Sequence, residues 1–333
     1  MKGILGLDIG GANLKAATTD GRAVSVPFAL WKHPERLTER LQTLARDFPA
    51  QDVAVTMTGE LCDCFATKRD GVEHIVAAVE DAFPGRDVGF WSTKGIFLWP
   101  AEAHSSHLDI ASANWHALAM HLGALSPCGF TLLLDLGSTT CDVIPILDGF
   151  PCTQGITDPE RLRHGELIYS GVRRTPLCAI LGATHAAELF ATTRDVYLLL
   201  EDVGEDANDC DTADGRPATI SHAHARIARM NCDDCEGMSL ESARELARRV
   251  RESQVQRLAE TLRTCITRLA RKPDRVFLSG SGEFLLPDVL RAADLGGVPT
   301  ESLSRRLGAR VSEAACAFAV ASLFASHRSM PVR

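Results

Sequence analysis

The chain of 333 residues is longer than one compact core commonly needs, so two domains are expected. Its 45% hydrophobic and 23% charged residues are ordinary for a globular protein and exclude a disordered or collagen-like chain. A formal charge of −8, from 43 acidic and 35 basic residues, argues against nucleic acid as the main partner, because that binding needs a net basic face.

The opening Met1-Lys2-Gly3-Ile4-Leu5 has no signal-peptide core, and Gly3 to Ile9 reads as a short buried strand. Gly10-Gly11-Ala12-Asn13 is a turn, Leu14 to Thr18 a second strand and Asp20-Gly21 the next hairpin turn. A helix is expected from about Pro34 to Phe48, with Leu37, Leu41, Leu44 and Ala45 on one face. Val53 to Met57 is a strand ending in Thr58-Gly59-Glu60, and Asp70-Gly71 precedes a helix carrying Val72, Ile75, Val76 and Val79. Asp109 to Leu122 reads as one further helix. Strands alternating with helices define an α/β protein.

At Phe130 the pattern restarts. Thr131 to Thr140 repeats the opening as an apolar strand, Asp135, one apolar residue, Gly137 and small residues. Cys141 to Ile146 supplies the returning strand, and Asp148-Gly149 matches Asp20-Gly21. Two copies of one hairpin mark an internal duplication with its boundary near Ser126-Pro127. Gly149 to about Ser239 is less regular and reads as an insertion over the cleft, with helical pieces near Ala179 to Leu189 and Ser221 to Met230. A long helix from about Leu240 to Leu269 follows, its arginines interleaved with glutamates as on a solvated face. Arg275 to Leu278 is a strand feeding Ser279-Gly280-Ser281-Gly282. The last helix, Ser312 to Ala325, is expected to pack back on the first lobe. Its apolar run of about a dozen residues is too short to span a bilayer. Eleven scattered cysteines read as reduced thiols of a soluble, cytoplasmic chain.

A glycine-rich turn between strands exposes several N–H groups at one point, which suits a phosphate. Gly10, Gly11, Ala12 and Asn13 form such a turn, and the Lys15 ammonium can reach the same anion. No Gly-Lys-Ser/Thr is present and a strand follows the turn, so the P-loop and dinucleotide readings fail. Two such hairpins facing each other would set Asp8 and Asp135 across a cleft, sharing a hydrated Mg²⁺ and gripping two phosphates. Asp142 either joins that metal or bonds its own hairpin. Cys62-Asp63-Cys64 and Cys232-Asp233-Asp234-Cys235 read as free thiols. A zinc set of His222, His224, Cys232 and Cys235 is disfavoured because the histidines lie two apart on an expected helix.

The two hairpins, with Leu278-Ser279-Gly280-Ser281-Gly282, resemble the phosphate and nucleoside motifs of the actin/Hsp70/sugar-kinase superfamily. Leu134 to Asp142 is most similar to its hydantoinase/oxoprolinase branch. Gly6 to Lys15, Thr58-Gly59-Glu60-Leu61, Ala113-Asn114-Trp115, Tyr169 to Pro176 and Thr212 to Pro217 resemble one smaller family. It is that of the tetrahydromethanopterin-linked C1-transfer and methanofuran-biosynthesis furanylmethanamine synthase proteins.

The resemblance covers nearly the whole chain and implies two ribonuclease-H-like lobes around a cleft, residues 1–126 and 127–311, with the insertion at about 150–238. It implies a transferase that condenses an aminomethyl-furanylmethyl diphosphate with the phenol of a tyrosine- or tyramine-type acceptor, releasing diphosphate. Asp8, Lys15 and Asp135 would be catalytic with Mg²⁺ at Asp8, Asp135 and Asp142, and Glu60 and Asp214 are the two choices of base. Gly10, Gly11, Ala12, Asn13, Gly137, Ser138, Thr139, Thr140, Gly280 and Gly282 would hold the diphosphate, and Asn114, Arg173, Arg174 and Arg216 the substrates. Tyrosine or a glutamylated tyrosine is the preferred acceptor, its carboxylate pairing with Arg173 or Arg216. A homo-oligomer is allowed for; a membrane or nucleic-acid partner is not expected. Two other readings share the fold: an ATP-dependent small-molecule kinase or amide-opening ATPase, and a non-enzymatic nucleotide-switched partner protein.

Overall fold

In a computed structural model, which describes residues 3–329, the repeated hairpin heads two sheets of the same design. Met1 and Lys2, part of the sequence stretch read for a signal peptide, lie outside the described residues. The first sheet holds β1 (Ile4–Ile9), β2 (Asn13–Thr18), β3 (Ala23–Pro27), β4 (Asp52–Met57), β5 (Asp87–Trp91) and β6 (Phe97–Leu98), in the order β3-β2-β1-β4-β5-β6. The second holds β7 (Phe130–Leu136), β8 (Cys141–Leu147), β9 (Phe150–Pro151), β10 (Leu167–Ile168), β11 (Arg275–Ser279) and β12 (Thr300–Ser302). Its order is β10-β8-β7-β11-β12, with β9 also on β8. In both sheets an antiparallel hairpin is extended by two parallel strands, β4 and β5 in one and β11 and β12 in the other. The central β1 is buried along its whole length because helices cover both faces, which suits its apolar residues Ile4, Leu5, Leu7 and Ile9.

The two turns match bond for bond. The Gly10 N–H donates to the Asn13 carbonyl at 3.0 Å, and the Gly137 N–H to the Thr140 carbonyl at 2.8 Å. Asp8 stands opposite Lys15 across one hairpin, and Asp135 opposite Asp142 across the other.

The Asn114–Leu125 and Ala315–Ser329 helices form the floor between the sheets. Trp115, Leu118 and Leu122 of the first and Cys316 and Ala319 of the second share one core with Leu133, Ile144 and Phe277 of the second sheet. The Ala315–Ser329 helix also lies against β1, so closely that a Cβ on Gly6 would collide with the Ala317 carbonyl. The Asn114–Leu125 helix meets the β8–β9 turn equally closely, at Gly123 and the Gly149 carbonyl. Among the described residues no helix is long and apolar enough to cross a membrane.

Three elements depart from the sequence reading. The helix expected over Asp109 to Leu122 is two, His107–Ile110 and Asn114–Leu125, broken at Ser112, whose φ of 50° is left-handed. The helical piece expected at Ala179 to Leu189 is a single 3₁₀ turn, Leu177–Ala179, followed by irregular chain. That stretch contains Gly182 and exposes Leu189, so it has neither propensity nor a face to bury. The final helix starts at Ala315 after a separate short helix, Ala309–Glu313. The Leu240–Leu269 helix has the expected bounds.

Gly6→Ala should push the Ala315–Ser329 helix off β1 and destabilise the protein by about 1–3 kcal/mol, read as a lowered urea midpoint at unchanged m-value.

Candidate active site between the two hairpins

The hairpin charges converge from both lobes. Asp8 is only 5% exposed, and its Oδ2 lies 4.0 Å from the Lys15 ammonium. Its Oδ1 is buried without a hydrogen-bond partner, as is the hydroxyl of Thr56, its register neighbour on β4. Burial raises the Asp8 carboxyl above its usual range, and Lys15 opposes the rise. Burial pulls the Lys15 ammonium down, but Asp8, Cys316, Asp135 and Glu313 outweigh it and hold the lysine above its ordinary value. Asp135 is pushed up to about 6 by burial and then by Asp142, against Lys15 and the Ser279 hydroxyl, with Asp8 adding to the rise. Asp8, Lys15 and Asp135 therefore act on one another across the cleft.

Asp142 differs from both expectations. It neither bonds its own hairpin nor stands free for a metal: Arg161 donates to its Oδ1 at 2.7 Å. Arg161 is 1% exposed, donates also to the Glu166 carbonyl at 3.0 Å and stacks 4.1 Å from the centre of the Trp115 ring. Burial still raises the Asp142 carboxyl, with Arg161 opposing.

Both turns keep amides free. Among the described residues, the N–H groups of Gly11 and Ala12 in one turn and of Ser138 and Thr139 in the other donate to no protein acceptor. Each turn is braced from behind. Leu30 N–H donates to the Gly11 carbonyl at 2.8 Å, and Cys62 Sγ would lie 2.7 Å from a Cβ on Gly11. In the second turn the N–H groups of Arg173 and Arg174 donate to the Ser138 carbonyl, and a Cβ on Gly171 would strike the Ser138–Thr139 peptide. The Tyr169–Pro176 loop is thus a backing for the second turn. Gln254 on the long helix donates to Ser170 Oγ at 3.0 Å and to the Gly171 carbonyl at 2.9 Å. Gly280, at φ 92°, and Gly282 pack directly on Leu136, and a Cβ on Gly280 would meet Asp135 Oδ1 at 2.6 Å. Their absent side chains let β11 close on the Asp135 strand.

The remaining expected residues separate into two groups. Asn114 begins the floor helix, and its Nδ2 lies 3.9 Å from Cys316 Sγ. Cys316 was not singled out by sequence; its thiol is held far above its usual range by burial, then by Asp8 and Asp135, which places it at the same centre. Arg174 lies 5.3 Å from the ring centre of Trp31 on the first lobe and, among the described residues, has no carboxylate partner. Glu60 is fully buried, with Ser112 Oγ donating to its Oε1 at 2.7 Å and its Oε2 unpartnered.

Asp214, Arg173 and Arg216 are in use elsewhere. Arg226, itself buried against Asp195, donates to Asp214 at 2.9 Å, with Arg229 at 3.7 Å and Arg216 at 3.9 Å from the same carboxylate. These contacts outweigh burial and lower the Asp214 carboxyl, so it is a poor base. Arg173 is paired with Asp209 at 2.9 Å and Asp211 at 3.2 Å.

Among the described residues no group of three or more His, Cys, Asp and Glu side chains is arranged as a metal site. His224 bonds the Met238 carbonyl and His222 the Thr219 hydroxyl. A hydrated Mg²⁺ needs only one or two carboxylates, and Asp8 with its orphaned oxygen and the crowded Asp135 fit one.

A hydantoinase/oxoprolinase family model matches residues 51–326. The chain is 32% identical, over 96% of its length and 97% of the relative's, to a Methanocaldococcus jannaschii protein. That relative is named (4-{4-[2-(gamma-L-glutamylamino)ethyl]phenoxymethyl}furan-2-yl)methanamine synthase. A Methanococcus vannielii protein of the same name is 31% identical over 58% of this chain and 89% of its own. Among solved structures, nucleotide-free acetone carboxylase matches 96% of this chain and 70% of its own at 13% identity and a TM-score of 0.56, a likeness of fold.

Asp135→Asn removes a carboxyl whose folded value, about 6, exceeds its unfolded one. The native state then binds that proton more tightly, so wild-type stability falls as pH rises from about 4 to about 6. At pH 7 the ligand-free variant should be more stable by on the order of 1 kcal/mol and should lack that slope, measured by urea unfolding at pH 4 and 7.

Proposed function

The chain belongs to the hydantoinase/oxoprolinase family of the actin/Hsp70/sugar-kinase superfamily, and we propose that it is a transferase of methanofuran-type cofactor biosynthesis. The single observation that carries this reading is the end-to-end similarity to the M. jannaschii synthase. That protein's name describes an ether between a phenol with a γ-glutamylaminoethyl chain and a furanylmethyl carbon, with an aminomethyl group on the furan.

In the proposed reaction an aminomethyl-furanylmethyl diphosphate loses diphosphate, and the phenol oxygen takes its place. The carbon–oxygen bond to diphosphate breaks with its electron pair on the departing oxygen. The phenol oxygen forms the new bond, and its proton leaves on the diphosphate. The furan oxygen donates electrons into the developing cation, so the departing charge is what the protein must stabilise.

Lys15 and the free amides of Gly11 and Ala12 face that charge from one hairpin, those of Ser138 and Thr139 from the other. Asp8 and Asp135 would hold Mg²⁺, which when bound would supply further charge neutralisation. Asn114 and Cys316 close the floor, and the in-line placing of the phenol contributes through proximity. The relative's named product has no carboxyl on the ethyl carbons of its arm, its one carboxyl being that of the γ-glutamyl group, and Arg173 and Arg216 are paired with aspartates. A γ-glutamylated tyramine therefore replaces tyrosine as the preferred acceptor, with Arg174 the arginine left to meet an anionic group.

The assay mixes protein, Mg²⁺, furan diphosphate and each acceptor in turn, following diphosphate and ether mass together. Acceptor-dependent diphosphate release without nucleotide is expected; turnover that needs ATP and yields ADP would replace this reading with a kinase or ATPase. Lys15→Ala should raise the KM for the diphosphate roughly 10- to 100-fold without abolishing turnover, because the turn amides remain.

A further inference from the structure

Glu60 presents a buried carboxyl, raised above its usual range by burial, that the hairpin chemistry leaves unused. It follows Gly59, whose missing Cβ would lie 3.2 Å from the Gly10 backbone, so it is fixed one residue beyond a contact with the first phosphate turn. Gly71 of the Lys68–Ala82 helix packs directly on its main-chain carbonyl. The side chain is 0% exposed, one carboxylate oxygen is met by Ser112, and the other has no partner. Burying a carboxylate half-satisfied costs several kcal/mol, which an arriving cation would offset.

Among the described residues Glu60 forms no ion pair. The strongest charges acting on it are Lys68 and Asp158, and Lys68 is already paired with Asp158 at 3.8 Å. Tyr169 of the second lobe is 55% exposed, and burial, then the charges of Asp158, Glu60 and Asp142, raise its hydroxyl above the usual range. An aromatic face bordered by carboxylates suits a flat ring that carries a positive charge. It repels an anion, which Lys15 and the turn amides attract on the other side of the Gly59–Gly10 contact.

We propose that Glu60 binds the primary ammonium at the end of the furan substrate remote from its diphosphate, with Tyr169 against the ring. The assignment rests on the transfer reaction proposed above. It gives Glu60 a binding role in place of the base considered from sequence, since its neighbours are Lys68, Asp158 and Tyr169 rather than the departing charge. Lys68 stands on the first lobe and Asp158 on the second, so their ion pair, worth about 1 kcal/mol or less, joins the lobes between the two charges that act on Glu60. Parting that pair admits the ammonium.

The test compares the aminomethyl substrate with an analogue bearing methyl in its place, in wild type and Glu60→Gln. Wild type should favour the amine roughly 10- to 100-fold in kcat/KM. The variant should lose that preference while its rate with the methyl analogue stays within about threefold of wild type. Equal losses with both substrates, or a preference that survives, would overturn the assignment.

A second arm needs no turnover. Furfurylamine is titrated into both proteins at pH 7 by calorimetry, and into labelled wild type by NMR. Binding at least roughly tenfold weaker in the variant, with amide shifts centred on Gly71, Ser112 and Tyr169, is the expected result. Equal affinity in the two proteins, no binding to wild type, or shifts scattered elsewhere would refute the site. Should wild type bind the amine in this way yet release no diphosphate from any furan substrate, the transfer reading fails and the ammonium site stands. If Glu60→Gln does not fold, the wild-type shifts decide alone.

Discussion

Asp8, Lys15, Asp135 and Asp142 stand on the facing strands of two hairpins and share one cleft, where burial drives the three carboxyls upward. Three carboxylates meet two cations there, Lys15 and Arg161, so one negative charge is left over. That surplus makes a small hard cation a natural complement to Asp135, which burial and then Asp142 push up to about 6. The surrounding architecture serves this arrangement. The two floor helices keep water from beneath it, the glycines at 6, 123, 171, 280 and 282 bring backbones close enough to seal it, and Trp115 gives Arg161 an apolar bed.

The stretch from 150 to 238 carries a second set of ion pairs, in which the buried Arg226 links Asp195 to Asp214 and Asp209 joins Arg173 to Arg194. These pairs hold irregular chain in place where a continuous hydrophobic stripe is lacking. The Leu240–Leu269 helix extends their support: Gln254, buried on its inner face, bridges Tyr197 and the Tyr169–Pro176 loop. The second hairpin turn is therefore positioned by a side chain some 115 residues further along the chain, a long-range dependence that a local motif does not reveal.

Much of the fold was legible from sequence because hairpins, caps and amphipathic stripes are local. Asp8, Gly10, Asp135 and Gly137 announced themselves through repetition, and the Leu240–Leu269 helix through its apolar period. What escaped depends on partners distant in the chain. Arg161 lies in Asp-Pro-Glu-Arg-Leu-Arg-His, which reads as a solvated turn of helix, and only the crossing of Trp115 makes it a core residue. Ser112 breaks an otherwise helical stretch because its hydroxyl is drawn to Glu60, 52 residues away. Cys316 looked like one small residue among alanines. Asp214 and Arg216 belonged to a family-like string, yet their side chains serve ion pairs with each other and with Arg226.

The duplication is exact in backbone register but inverted in charge: where one hairpin sets lysine opposite its aspartate, the other sets a second aspartate. A cleft built from two like halves has in consequence a built-in polarity. Both turns offer free amides, but only the first hairpin adds an ammonium, while Asp142 in the second is itself held by Arg161. Symmetry of the chain trace thus yields an electrically uneven cleft, and the unevenness starts from a single pair of unlike residues, Lys15 and Asp142.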